Sequence, residues 1–189
     1  KDKGKAIIQE VGLYFEYKLY RANRTTKVNA EHFEAFESSN FPPLAESGVN
    51  LKINYEKLLK PNLRKKMLIH KSLNGNILIL KLFPCMNLET IEHILQTPHI
   101  EGIILETFGS GNAKTDDWFL ESLKAVMERG VHVVNVTQCV GGAVFMGKYA
   151  ASERLKQLGI ISGGDMTTEA ALAKMMYLLN KNLGSKVFK

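Results

Sequence analysis

From Gly75 onward, short apolar runs alternate with amphipathic stretches at an interval of roughly 25 to 30 residues, the spacing of successive βαβ units. Four strands are predicted: Ile77 to Phe83, Gly102 to Glu106, Val131 to Thr137, and a short one from Ile160 to Ser162. Helices are predicted between and after them. The first runs from Leu88 to Gln96, with Asn87 as its cap and Leu88, Ile91, Ile94 and Leu95 on one face. The second runs from Asp116 to Arg129 and is closed by Gly130; the third runs from about Met146 to Leu158 and is closed by Gly159. A fourth runs from about Thr168 to Asn180. Crossovers of this kind are almost always right-handed, so the segment is expected to be α/β, a parallel β-sheet flanked by helices.

Open parallel sheets bind ligands outside the carboxyl ends of their strands. Three loops are expected there: Thr107 to Lys114 (TFGSGNAK), Gln138 to Ala143 (QCVGGA) and Gly163 to Thr168 (GGDMTT). All are rich in small and hydrogen-bonding residues, which let backbone N–H groups approach a polar ligand closely.

The residues before Gly75 are organised differently. Apolar positions alternate from Val11 to Tyr20, the period of a half-buried strand, and a polar segment follows from Arg21 to Lys27. Asn29 can cap a short helix through Glu34, stopped by Ser38, Ser39, Asn40, Pro42 and Pro43. Periodicity is weak from Gly48 to Asn74. The expected division is therefore residues 1–41, a connecting segment at 42–74, and a second domain at 75–189.

Composition narrows the function classes. Among 189 residues, 45% are hydrophobic and 23% charged, a globular balance. No apolar stretch approaches the roughly 20 residues of a membrane helix, so no membrane partner is expected. Cys85 and Cys139 have neither metal-site spacing nor the density of a disulfide scaffold, which points to free thiols and a cytoplasmic setting. The net charge of +6 is not clustered. Its one dense run, Lys60 to Lys66, contains a proline and no aromatic residue, so a solvated basic face is expected rather than a nucleic-acid partner.

Gly109-Ser110-Gly111-Asn112 suggests a dinucleotide fingerprint, but Lys114 stands where glycine or alanine is needed, and no suitable acidic residue follows about 20 positions later. A tight turn is the better reading, with Asn112 either functional or simply a turn residue. The histidines His32, His70, His93, His99 and His132 share no ligand-forming spacing, and no G-x-S-x-G elbow occurs. No metal and no cofactor are expected. On its own, Lys27 reads as a surface lysine.

Several motifs occur together in a definite order. Leu19-Tyr20-Arg21-Ala22-Asn23-Arg24-Thr25-Thr26-Lys27, then Phe33-Glu34-Ala35-Phe36 and Asn40-Phe41-Pro42-Pro43-Leu44, resemble the segment that ends the amino-terminal domain of type I, cytosolic bacterial L-asparaginases. Glu106-Thr107-Phe108-Gly109-Ser110-Gly111-Asn112-Ala113, Thr137-Gln138-Cys139, Tyr149-Ala150, and Gly163-Gly164-Asp165-Met166-Thr167-Thr168-Glu169-Ala170 are similar to that family's carboxyl-terminal domain. Residues 1–41 are thereby expected to be the tail of an amino-terminal α/β domain. Ser39 and Lys114 stand where the family often has proline. The family's Thr-Gly-Gly-Thr and Gly-Thr-Asp-Thr segments, with its reactive threonines, occur nowhere in the 189 residues.

The resemblance implies hydrolysis of L-asparagine to aspartate and ammonia through a threonine nucleophile and an acyl-enzyme. A chain without that threonine is expected to be inactive alone, as the carboxyl-terminal half of the enzyme. Lys27 is implied as a catalytic proton relay, a role requiring it to be neutral part of the time; burial and a neighbouring charge such as Arg24 favour that. Asn112 is implied to reach the substrate from an adjacent subunit, so a homodimer or dimer of dimers is expected. Thr26 and Cys139 match positions where some bacterial members bind a second, activating asparagine; a buried, packed thiol is the alternative for Cys139. The other readings are the amidase subunit of a tRNA-dependent amidotransferase, a relative with added lysophospholipase activity, and a non-catalytic ligand-binding module of the same fold.

Overall fold

The structure, a computed structural model, describes residues 6–60, 64, 68–147 and 150–181. The chain divides into two compact units, residues 1–70 and residues 71–189.

In the first unit, strands β1 (Gly12–Phe15) and β2 (Lys18–Arg21) pair antiparallel, with Leu13 opposite Tyr20. The single strand expected from Val11 to Tyr20 is therefore a hairpin. Glu16 and Tyr17 hold φ of 43° and 65° and form its two-residue turn. Positive φ at both central residues belongs to the turn type whose twist suits a hairpin. β2 also pairs with β5 (Ala45–Glu46), and β5 with β6 (Lys52–Ile53), so part of the segment expected to be a connector lies in this sheet. The short strands β3 (Thr26–Lys27) and β4 (Phe36–Glu37) pair separately, with Lys27 opposite Phe36.

The helix expected from Asn29 to Glu34 is absent. The Asn29 side chain instead accepts hydrogen bonds from the N–H groups of Glu31 at 2.8 Å and His32 at 3.0 Å, closing a local turn. Phe33 is 85% exposed, so a helix here would have had no apolar face to bury. Phe36 packs edge-on against Phe15, with ring centroids 5.1 Å apart.

The second unit has the expected α/β architecture. Strands β7 (Ile77–Lys81), β8 (Gly102–Thr107), β9 (His132–Thr137) and β10 (Ile161–Ser162) form one parallel sheet in the order β10-β9-β8-β7. Helices α1 (Leu88–Leu95), α2 (Asp117–Glu128), α3 (Ala150–Gln157) and α4 (Thr168–Leu179) alternate with them. The caps follow local chemistry: the Asn87 side chain accepts from Thr90 N–H at 2.9 Å, and Gly130 and Gly159 end α2 and α3 at φ of 92° and 89°.

Alternate residues of each strand feed two cores. Ile103, Leu105 and Val133 pack with Ile91, Phe119, Leu123 and Leu155, while Ile104, Val134 and Val136 pack with Ala171, Met175 and Leu178 of α4. Burial on both faces explains why the central strands β8 and β9 are apolar over most of their length. Among the described residues no helix is long and apolar enough to cross a membrane, and no group of three His, Cys, Asp or Glu is placed to hold a metal ion.

Two groups in this unit make its stability depend on pH. Glu101 accepts hydrogen bonds from the side chains of Asn74 (2.9 Å) and Asn76 (2.7 Å), which lower its pKa from the ordinary 4.5. Desolvation lowers that of His132 from 6.5. As pH falls through 6.5 the unfolded chain takes up the histidine proton before the folded one, so stability declines. Glu101 adds stability above the unfolded carboxyl value that is lost as pH falls through its folded value. Thermal unfolding followed from pH 8 to 3 is expected to show both declines. Glu101→Gln should weaken the lower one, and an unchanged acid limb in that variant would contradict the assignment.

Candidate active site

All three expected loops leave the carboxyl ends of the parallel strands, and each is held by groups from its neighbours. Beyond β8 the backbone folds back on itself. Phe108 N–H donates to Asn112 O at 2.9 Å and Asn112 N–H to Phe108 O at 2.8 Å, with Gly109 and Gly111 at φ of 50° and 110° between them. Gly111 is also sterically required, because a Cβ there would lie 2.8 Å from Val144 Cγ1. The Thr137 hydroxyl donates to Gly109 O at 2.5 Å, and Phe145 N–H donates to Ser110 O at 3.0 Å.

The second loop begins at Gln138, whose side-chain amide donates to Leu82 O (2.6 Å) and Glu106 O (2.9 Å), joining the ends of β7 and β8. Cys139 N–H donates to the Thr137 hydroxyl at 3.0 Å, and its thiol is exposed. The packed, buried thiol considered from the sequence is thus not what forms.

The third loop is fixed at both ends. Gly163 N–H donates to Asn135 O at 2.8 Å, and the Thr168 hydroxyl donates to the Glu106 carboxylate at 2.6 Å. A Cβ on Gly163 would stand 2.9 Å from Asn135 O and 2.7 Å from Val136 Cγ1, so Gly163→Ala is expected to cost about 1–3 kcal/mol by overpacking. Denaturant unfolding with an unchanged midpoint would contradict that.

Asn112 stands out chemically. Its backbone groups are used within the loop, but its side-chain oxygen Oδ1 is buried without a hydrogen-bond partner. A buried unsatisfied acceptor costs about 1–3 kcal/mol, so a donor that reaches this oxygen is stabilising.

In the first unit, Lys27 lies on β3 with its ammonium 5.9 Å from the centroid of the Phe36 ring, and it is exposed. Residues of this unit therefore do not supply the burial that a relaying lysine calls for. Thr26 pairs with Glu37 across the two-stranded sheet. Just upstream, the buried Thr25 hydroxyl donates to Arg21 O at 2.8 Å. The Arg21 guanidinium pairs with Glu10, donates to Lys57 O at 2.8 Å and lies 4.3 Å over the Phe41 ring. For Glu10, burial pushes the pKa up, but hydrogen bonds from Arg21 and Leu59 N–H outweigh it and leave it lowered. The Arg24 guanidinium lies over the same Phe41 ring, 5.7 Å from its centroid.

The structure thus brings Thr26 and Lys27 together on one strand, and Asn112 and Cys139 together among the loops at one end of the second sheet. Tyr149 lies outside the described residues. Thr107, Thr137 and Gln138 stand in motifs read from the sequence, which gives no sign of the bonds they make; Asn135 stands in none of them, and its one signal is a polar residue inside the apolar run of β9.

Residues 76–189 match the glutaminase/asparaginase carboxyl-terminal domain, and residues 2–59 match the asparaginase amino-terminal domain. The chain belongs to the asparaginase family. Within it, the type I proteins are similar over almost all of the described length. L-asparaginase 1 of Escherichia coli is 37% identical over 182 residues, 96% of this chain and 53% of that protein. The crystal structure of L-asparaginase I from Vibrio cholerae superposes with a TM-score of 0.86 at 40% identity, again over 96% of this chain and 53% of the other. A mouse protein named 60 kDa lysophospholipase is 42% identical over 178 residues, 94% of this chain and 31% of that protein. This asparaginase-family chain therefore spans about half the length of these two bacterial L-asparaginases and about a third of the lysophospholipase.

Proposed function

We propose that this chain contributes to a cytoplasmic L-asparaginase, which hydrolyses the side-chain amide of L-asparagine to aspartate and ammonia. The observation that carries the reading is the buried, unpartnered Asn112 Oδ1, in a family loop at the carboxyl end of a parallel strand. An amide side chain both donates and accepts, so it can meet the polar groups of a bound amino acid.

In this reaction a threonine hydroxyl from outside these 189 residues attacks the amide carbon. Its proton passes through Lys27, the amide nitrogen leaves as ammonia, and water then cleaves the acyl-enzyme ester. Lys27 relays the proton and Asn112 binds substrate from an adjacent subunit, so the working form is a homodimer or a dimer of dimers. Thr26 and Cys139 take part in activation by a second asparagine molecule. Sigmoidal rates in asparagine that flatten in Thr26→Ala without loss of turnover are the expected signature, and hyperbolic rates in the parent protein would contradict it.

Neither nucleic acid, membrane nor cofactor enters this scheme. The resemblance to a lysophospholipase gives a second reading, hydrolysis of a lysophospholipid ester. Ammonia release from asparagine and fatty-acid release from a lysophospholipid, both measured on a protein of the relatives' length carrying this sequence, separate the two. Asparagine turnover is expected; fatty-acid release without ammonia would overturn the proposal. Residues 1–189 alone are expected to release no ammonia above background.

A further inference from the structure

We infer that Asn135 is a positioning residue that ties the first loop to the third and, through the 107–112 loop, sets the place of Asn112; the inference rests on the role proposed above for Asn112. Asn135 is fully buried in β9, between Val134 and Val136. A buried amide in an apolar strand is costly unless its polar atoms are matched. Here they are matched by loop residues. Its Oδ1 accepts from the Thr107 hydroxyl at 2.7 Å, at the base of the first loop. Its Nδ2 donates to Met146 Sδ at 3.4 Å, beyond the second loop, and would stand 3.4 Å from any Cβ on Gly111. Its backbone oxygen accepts from Gly163 N–H at 2.8 Å, at the start of the third.

A single buried residue thereby touches the base of the first loop, the start of the third, and Met146 just beyond the second. The contact most relevant to Asn112 is at Gly111. The turn passes close over the Asn135 amide, and glycine at φ of 110° is what allows it. Moving or removing the amide lets the turn settle, and Asn112 with it. A displacement near 1 Å in a site of this kind costs up to about a hundredfold in rate.

The test uses a protein of the relatives' length carrying this sequence. Asn135→Leu removes the amide at similar volume. Thr107→Val keeps the side-chain shape, removes the same hydrogen bond from its other end, and serves if the first variant does not fold. Each is expected to lower kcat/KM for asparagine by about ten- to a hundredfold. A merely structural role would reduce folded protein without a specific coupling to Asn112. Each change is therefore repeated in an Asn112→Ala background, where it is expected to add little; losses that multiply would overturn the inference.

Should Asn112→Ala leave turnover unchanged, the role proposed for Asn112 fails, and amide hydrogen exchange then decides for Asn135. Faster exchange at Gly109 to Asn112 in the variants, with β8 and β9 amides unchanged, supports the positioning role. Exchange equal to the parent overturns it.

Discussion

Lys27→Ala is expected to lower kcat for asparagine by about 10²- to 10⁴-fold, the range of a lost general acid–base group, with a smaller change in KM. β3 places Lys27 beside Thr26 at the end of a tightly braced segment. Thr25 is tied to Arg21, and Arg21 is tied in turn to Glu10, Lys57 and Phe41. Such bracing fixes the backbone from which the ammonium projects. Lys27→Arg keeps the charge but is expected to fare little better, because a guanidinium stays protonated and cannot relay. Steady-state kinetics of both variants provide the check. Retention of most of the parent kcat by either would remove the relay role.

Asn112→Ala is expected to reduce kcat/KM by about ten- to several-hundredfold, the scale of one hydrogen bond to a charged group together with misplacement of substrate. Its effect on folding should be small and even favourable. The substitution deletes a buried oxygen that has no partner in the isolated unit, whereas the loop is held by the backbone N–H groups of Phe108 and Phe145 and the Thr137 hydroxyl, which it leaves in place. A variant with lower kcat/KM and an unchanged or raised melting temperature is the expected combination. A large loss of stability with unchanged catalysis would make Asn112 a structural turn residue.

Much of the second unit was legible in the sequence because its local signals agree with its packing. Asn87, Gly130 and Gly159 mark helix ends through capping chemistry, and the continuous apolar runs of β8 and β9 mark strands buried on both faces. The first unit was less legible. Alternation from Val11 to Tyr20 keeps its period through a two-residue turn, so it does not distinguish one strand from a hairpin. Asn29 is an apt helix cap, but without a surface to cover Phe33 its side chain serves a turn instead.

The site was legible unevenly. Loop topology points to a candidate site, whereas the roles proposed for Lys27 and Asn112 rest on several motifs in order and not on spacing. Asn135 was hidden because a polar residue inside an apolar strand only weakens the periodic signal. What distinguishes it is the loops it touches, which are distant in sequence.

Mixing two defective subunits tests the central claim directly. Lys27→Ala and Asn112→Ala proteins of the relatives' length are combined under conditions of subunit exchange, and ammonia release from asparagine is measured. Each heterodimer should regain one intact site, formed by Lys27 of one subunit and Asn112 of the other, so activity should rise well above that of either variant alone. No rise, with exchange demonstrated, would contradict an asparagine-hydrolysing site shared between subunits.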